Sequence, residues 1–547
     1  MTNNYFRIKS FGSVLLLAAL AFASCAREEL NEEPTVKPDV PTETPAAALT
    51  TVNLTSFAGD ASRVSYPVDT RAEAEVAANP LTVVASIANP STKEGYLVLP
   101  EGRYLSASCV YYNAPTDTYY VTYHMQGNNY NTDQINEIGG AIQSFKFNEN
   151  GEVFLGEGFR AANPDKEDFD FNHLFFDETG DGVTFNPGTP RFIVAGHKWN
   201  VPSSYTGDEP YAGKRDNTRA IVGEFDPLAA TLTYATIKTA EKAYDADGKS
   251  LGYTDARDAN CVVRVMGYPY YCVATRKGFA VLSADKETMF QPVINRDNDQ
   301  PYFVPTPGSA KFIWDNYTVG SGMNFLYLAE NKSADAYTTA SKANMATFQV
   351  ATGKANSFLG LMNPDSPWTT YYNADDLDIA SYPKQVEMPE AITPVDGKNA
   401  MSALSYYEYY VPLGVNGFFY KFQGANSYKN IEGVLKFGNR PVNCVVADQA
   451  EFESGHDGFI YVANGARLTI LHRKTFEEVA YFNLSKDEAG NEVAASANFI
   501  TVTKGPENNW APRDRYITVA FGQAGVKVFK FTPSVLPKKT VWEKELQ

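Results

Sequence analysis

Asn443-Cys444-Val445-Val446-Ala447, Gly458-Phe459-Ile460-Tyr461-Val462-Ala463, Leu468-Thr469-Ile470-Leu471 and Glu478-Val479-Ala480-Tyr481-Phe482 decide the fold. Each run is short and rich in β-branched and aromatic residues, as a strand requires. Gly and polar residues separate them, and Arg473-Lys474-Thr475 reads as a tight turn. The phrase predicts one antiparallel sheet of four strands whose two faces both need cover.

The same grammar recurs along the chain. Asn260-Cys261-Val262-Val263, Tyr271-Cys272-Val273-Ala274 and Phe279-Ala280-Val281-Leu282, with a turn at Ala284-Asp285-Lys286, repeat it closely. An earlier unit has Ser108-Cys109-Val110-Tyr111, Tyr119-Tyr120-Val121-Thr122 and Ile142-Gln143-Ser144-Phe145. The next has His173-Leu174-Phe175-Phe176, Arg191 to Ala195 and Ala220 to Gly223. A fourth unit is expected at Lys311-Phe312-Ile313-Trp314, Phe325 to Leu328 and Ala346 to Gln349. A fifth is expected at Ser402-Ala403-Leu404, Tyr409 to Pro412 and Phe418 to Lys421, where Pro412 implies an edge or a bulge. The last unit has Asn498 to Val502, Tyr516 to Ala520 and Val526 to Phe529, with no fourth strand after it. Leu81-Thr82-Val83-Val84-Ala85-Ser86-Ile87, before the first unit, is expected to complete it and close a ring. Repeated sheets that cannot bury both faces alone are stable when stacked radially. The expected class is therefore all-β, a seven-bladed β-propeller over residues 81–547. Two packed β-sandwiches are the rival. Cys109, Cys261 and Cys444 fall at one register of three first strands, where close packing around a central channel favours small side chains.

Composition agrees with a folded body outside the cell. The chain has 547 residues, a net charge of −17 and 13% aromatic residues, mostly Tyr and Phe. An acidic surface argues against nucleic acid and against peripheral binding to anionic lipid. No zinc spacing is present among the Cys residues. Cys261 and Cys272 sit on adjacent strands of one hairpin, and a reduced buried pair is expected over a strained cross-strand disulfide.

Strand order also sorts the loops. In such a sheet the loops between second and third strands share a face with the loops between units. The long segments 126–140, 199–218, 331–344, 239–257 and 362–399 all fall in those classes. They would crowd one rim, where function usually sits. That rim would carry Tyr130, Lys198, Trp199, Tyr205, Tyr211, Lys214, Arg215, Tyr244, Tyr253, Trp368, Tyr371 and Tyr372. Aromatic planes with basic neighbours can stack on sugars, catechols or flat cofactors and pair with an anionic ligand. Pinning the long loops to the body is the alternative role for each residue.

Catalytic signatures are sparse. None of the five His sits in HExxH, and neither GxSxG nor a phosphate loop occurs. Asp177-Glu178-Thr179-Gly180-Asp181-Gly182 begins like a calcium loop but has Gly188 where an EF-hand needs Glu, so it reads as a turn. Asp375/Asp376 is a carboxylate pair of a kind that 64 acidic residues supply readily. No resident cofactor or metal is expected.

The N-terminus gives an address. Arg7 and Lys9 precede an apolar run from Phe11 to Ala23, which ends in Leu20-Ala21-Phe22-Ala23-Ser24-Cys25. This is the length of a signal peptide and short for a membrane span. The ending resembles a bacterial lipobox, which implies acylation of Cys25 after removal of residues 1–24; an ordinary secretory signal is the alternative. Residues 25–80 are expected to form the acylated start and a flexible linker, since 30–48 are mostly Pro, Thr, Glu and Ala. Arg27-Glu28-Glu29 resembles the surface-export signal of Bacteroidota lipoproteins.

Tether and body together resemble surface lipoproteins of Bacteroidota that work beside TonB-dependent transporters. Some of these propellers capture cobalamin or siderophores. The resemblance implies a lipid-anchored protein of the outer membrane, facing outward, that binds a small-molecule or glycan ligand without turnover. A glycoside hydrolase or lyase on the same scaffold, and an adhesion or scaffold protein, are the alternatives.

Overall fold

The computed structural model describes residues 48–59, 64–65, 80–90, 103–127, 139–148, 150–162, 167–177, 190–200, 218–244, 246–247, 250–256, 259–264, 270–275, 278–285, 288–292, 294–295, 300–301, 303–304, 316–322, 325–331, 344–349, 369–373, 402–405, 408–412, 417–423, 430–438, 440–448, 458–473, 475–484, 495–506 and 513–536. Cys25 lies outside these residues, as do the Lys311–Trp314 run and the Asp375/Asp376 pair.

Units three to six fold as separate antiparallel four-stranded sheets, whereas the strands of units one, two and seven are joined edge to edge in one 14-stranded sheet. Unit six has Val442–Ala447, Phe459–Asn464, Arg467–His472 and Glu478–Asn483, in that order. Its Asn464–Arg467 pair closes a tight two-residue turn. Unit one has Arg103–Asn113, Thr118–Gly127, Ala141–Phe147 and Val153–Ala161, and unit two has Glu167–Asp177, Arg191–Asn200, Thr218–Asp226 and Thr231–Thr236. Unit five, Ser402–Ser405 to Asn430–Leu435, places Pro412 at the last position of its second strand, where the ladder ends. Unit seven has three strands of its own, Ala495–Lys504, Arg515–Gly522 and Val526–Phe531. Leu81–Ile87 pairs with Val526–Phe531 and completes it. Lys527 Nζ donates to Ser86 Oγ across that seam.

Two expectations are corrected. In unit four the first strand is Asn316–Gly322, paired with Phe325–Asn331, so it begins after the Lys311–Trp314 run. In unit three the fourth strand is the short Phe303–Val304 pairing with Gly278–Ser283, far beyond the turn at Ala284.

The first strands share a bulge, which explains the Cys register. Pairing slips by one residue between Ala107 and Cys109, Phe171 and His173, Ala259 and Cys261, and Val442 and Cys444. The extra residue is Ser108, Asn172, Asn260 or Asn443, all buried. A bulge frees its residue from the ladder and re-aims the side chain. Here it points to the next unit: Ser108 Oγ donates to the Phe171 carbonyl at 2.7 Å, and Asn172 Nδ2 to Ala259 at 3.0 Å. Asn443 Nδ2 donates to Ala497 at 3.0 Å, and Asn498 Nδ2 to Ala107 at 2.9 Å. Each accepting carbonyl belongs to the residue just before the next unit's bulged polar residue. The belt thus runs from unit six to unit seven, from there back to unit one, and on through unit two to unit three. The following Cys packs against it, with Ile500 N–H donating to Cys444 Sγ at 3.3 Å. Cys109, Cys261, Cys272 and Cys444 are all buried thiols. Burial first, and the neighbouring Cys261 second, push the Cys272 thiol far above its ordinary range.

Apolar faces fill the spaces between units. Ile142, Phe159, Phe171, Leu174, Val194 and Ile221 join units one and two, while Tyr410, Leu435, Val445, Val462 and Leu471 join five and six. Each such contact removes apolar surface that a lone sheet would leave in water. The fold is all-β and propeller-like. Among the described residues no helix is long and apolar enough to cross a membrane.

One strand appears inside the expected linker. Thr50–Phe57 pairs through Thr50–Asn53 with the outer strand of unit two and through Leu54–Phe57 with the outer strand of unit one. A single strand therefore clips two sheet edges together, with Leu54 as its only buried side chain.

Candidate functional site

Among the described residues, unit two carries a group of charged side chains on the face expected to hold the long loops. Its first strand opens Glu167-Asp168-Phe169-Asp170, and its second ends Gly196-His197-Lys198-Trp199-Asn200. Register sets Asp170 opposite His197, Phe169 opposite Lys198 and Asp168 opposite Trp199. Strand alternation puts Asp168 and Asp170 on one face and Phe169 on the other. Two glycines permit the close fit. A Cβ on Gly196 would lie 1.9 Å from the Asp170 carbonyl oxygen, and one on Gly140 would lie 2.4 Å from that of Tyr123.

Each acid there has a fixed partner. Asp170 Oδ2 lies 3.3 Å from His197 Nε2, and Asp170 Oδ1 accepts the Gly139 N–H at 3.1 Å. Asp168 pairs with Arg160 of unit one at 3.4 Å, both side chains buried. Glu167 Oε1 accepts from Lys198 Nζ at 2.8 Å and from the Tyr234 hydroxyl at 2.6 Å. The Lys198 ammonium also sits 4.9 Å above the Tyr234 ring centre. Burial, and then the Glu167 carboxylate, hold the Tyr234 hydroxyl far above its ordinary pKa. Tyr234 is therefore a donor at any physiological pH.

Several residues expected on long loops lie on strands instead. Lys198 lies on a strand, and its ammonium is committed to Glu167 and Tyr234. Trp199 continues the same strand, paired with Asp168 and Thr218. The 239–257 connection is largely a hairpin, Lys238–Tyr244 with Ser250–Asp255, so Tyr244 and Tyr253 belong to paired strands. Tyr371 and Tyr372 lie on Thr369–Asn373, the outer strand of unit four, opposite Ala346 and Met345. They belong to a blade edge, not to a connection between units. Tyr130, Tyr205, Tyr211, Lys214, Arg215 and Trp368 lie outside the described residues.

Arg160, Asp168, Asp170 and His197 were not anticipated as site residues. The signal was present in Glu167-Asp168-Phe169-Asp170, where period two aligns two carboxylates at the start of a first strand. An imidazole held by a buried carboxylate can exchange a proton or a hydrogen bond with a molecule on the rim. Among the described residues no three His, Cys, Asp or Glu side chains converge as a metal site would require.

No family model matches the chain, and no curated protein matches it. Among solved structures it is similar to Saccharomyces cerevisiae Sqt1, at 8% identity and a TM-score of 0.36, over 82% of this chain and 100% of that one. It is also similar to the WD40 β-propeller domain of Doa1, at 9% identity and a TM-score of 0.32, over 78% and 94%. A third is BBS1N in complex with ARL6DN, at 9% identity and a TM-score of 0.33, over 70% and 90%. Likeness at this level carries no functional weight.

Proposed function

We propose that the units form one seven-bladed ring and that the protein is an outer-membrane lipoprotein, acylated on Cys25 and facing outward. In this reading it binds a siderophore, a cobalamin-like cofactor or a glycan for a TonB-dependent transporter, without turnover. The belt that passes from unit seven to unit one, and the Leu81–Ile87 strand that completes unit seven, support the single ring. The Cys25 lipobox and the acidic residues behind it support the address.

One observation favours binding over hydrolysis. Glu167, Asp168 and Asp170 are each held by a cation or a donor within the fold. A glycosidase needs two acids aimed at one bond, about 5–9 Å apart with room for a sugar between them. Acids anchored in pairs suit a preorganised binding surface instead. The Asp170–His197 contact favours a second reading, an enzyme using His197 as acid or base.

Thermal shift of residues 50–547 against cobalamins, siderophores, haem and glycans separates the readings. A dose-dependent rise in melting temperature from one compound class, with that compound recovered unchanged, is the expected result. A converted compound would establish the enzyme. Silence across all four classes would remove small-ligand capture and leave a protein partner.

A further inference from the structure

A second charged group lies at the boundary of units five and six and plays no part in the reading above. Arg467 follows the tight turn of unit six, and Arg440 stands in the connection that enters that unit. Both are buried, 3% and 5% exposed. Among the described residues one carboxylate serves them. Arg467 Nη2 contacts both oxygens of Glu478, at 2.8 and 2.9 Å, while Arg440 feels Glu478 only at longer range. Two guanidinium groups against one carboxylate leave one buried positive charge in excess.

The donors are unfinished as well. Arg440 Nη1, Arg467 Nε and the amide nitrogen of buried Asn464 each lack a hydrogen-bond partner. Asn464 is the residue paired with Arg467 across the turn. Buried donors are nearly always satisfied, so three in one neighbourhood require an explanation. The group is also reachable. Tyr481 lies 3.7 Å from the Arg467 guanidinium and is 46% exposed, and the Glu478 side chain is 24% exposed. Burial outweighs Glu478 and lowers the pKa of both arginines, Arg467 to about 10, which an added negative charge would reverse.

We infer that Arg440, Arg467 and Asn464 form a binding site for a small oxyanion, a carboxylate or phosphate group, entered past Tyr481 and Glu478. Guanidinium forks suit such anions because two N–H groups meet two oxygens. Glu478 acts as the built-in competitor: it holds Arg467 when the site is empty and limits affinity when it is filled.

The test titrates the full chain in detergent micelles with sodium phosphate and, separately, sodium acetate, against sodium chloride at equal ionic strength to remove screening. Melting temperature and calorimetric heat are read together. A saturable response to phosphate or acetate, absent with chloride, is expected; whichever salt acts names the ligand chemistry. Arg440→Gln should weaken it at least about tenfold, the loss of a charged hydrogen bond. Glu478→Gln removes the competitor and should tighten it roughly tenfold. Should Arg440→Gln not fold, Glu478→Gln decides alone. Equal or weaker binding in Glu478→Gln, an unaltered response in a folded Arg440→Gln, or no saturable response from the wild type each overturns the inference.

Discussion

Breaking the buried ion pair between Asp448 and Arg515 should unlock the boundary between units six and seven. Asp448 follows the first strand of unit six, and Arg515 opens the second strand of unit seven. Arg515 Nε lies 2.7 Å from Asp448 Oδ2, with the side chains 1% and 8% exposed. The carboxylate also accepts the Tyr461 hydroxyl and the Phe459 N–H, each at 2.8 Å. Arg515 makes a further bond to the Arg513 carbonyl. Arg515→Met keeps much of the stem's volume but leaves a buried carboxylate with only neutral donors. Removal of one partner of a buried pair costs about 3–5 kcal/mol. Asp448→Asn strands the guanidinium and should cost a similar amount. The double variant leaves no uncompensated charge, so it should lose at least about 2 kcal/mol less than the two singles added together. Urea unfolding followed by intrinsic fluorescence measures all three. Singles below about 1 kcal/mol, or a double variant that merely adds them, would refute the argument.

Three further outcomes follow from the same structure. His173 is buried with Nδ1 facing the Val262 N–H at 3.5 Å, and burial lowers its pKa to about 4. The unfolded chain takes up this proton from pH 6.5 downward and the folded chain only near 4, so stability present above pH 6.5 is lost as pH falls toward 4. The loss is about 3 kcal/mol, and His173→Gln should flatten that part of a melting-temperature profile; parallel wild-type and variant profiles would contradict it. Asn498→Ala cuts the belt where unit seven meets unit one and orphans the Ala107 carbonyl, for a loss of about 1–3 kcal/mol in urea unfolding. A loss below about 0.5 kcal/mol would mean that the belt is no joint. Cys25→Ala should abolish palmitate labelling in the native host and release the protein from the membrane fraction, whereas persistent label would contradict Cys25 as the acylated residue.

The sequence carried the sheets because each strand needed its own apolar or aromatic run. Val442–Ala447 and Phe459–Asn464 are legible for that reason, as is Leu81–Ile87, which takes the place of the fourth strand that the end of unit seven lacks. It did not carry elements made mainly by backbone pairing. Thr50–Phe57 has one buried side chain, so nothing in its composition separates it from a linker. Phe303–Val304 is two residues long, too short for any periodicity. The placement of several rim residues on loops failed for a different reason. Aromatic residues mark strands as well as binding loops, and Tyr371, Tyr372 and Tyr253 proved to be on strands. The commitment of Lys198 to Glu167 and Tyr234 depends on strand register, which spacing alone does not give.

The most direct test of ligand capture is a calorimetric titration of the purified body with the compound that stabilises it most, followed by mass spectrometry of the recovered compound. The account predicts saturable binding at one equivalent per chain and a compound returned unaltered after prolonged incubation. Turnover of that compound, or heats that never saturate, would contradict it.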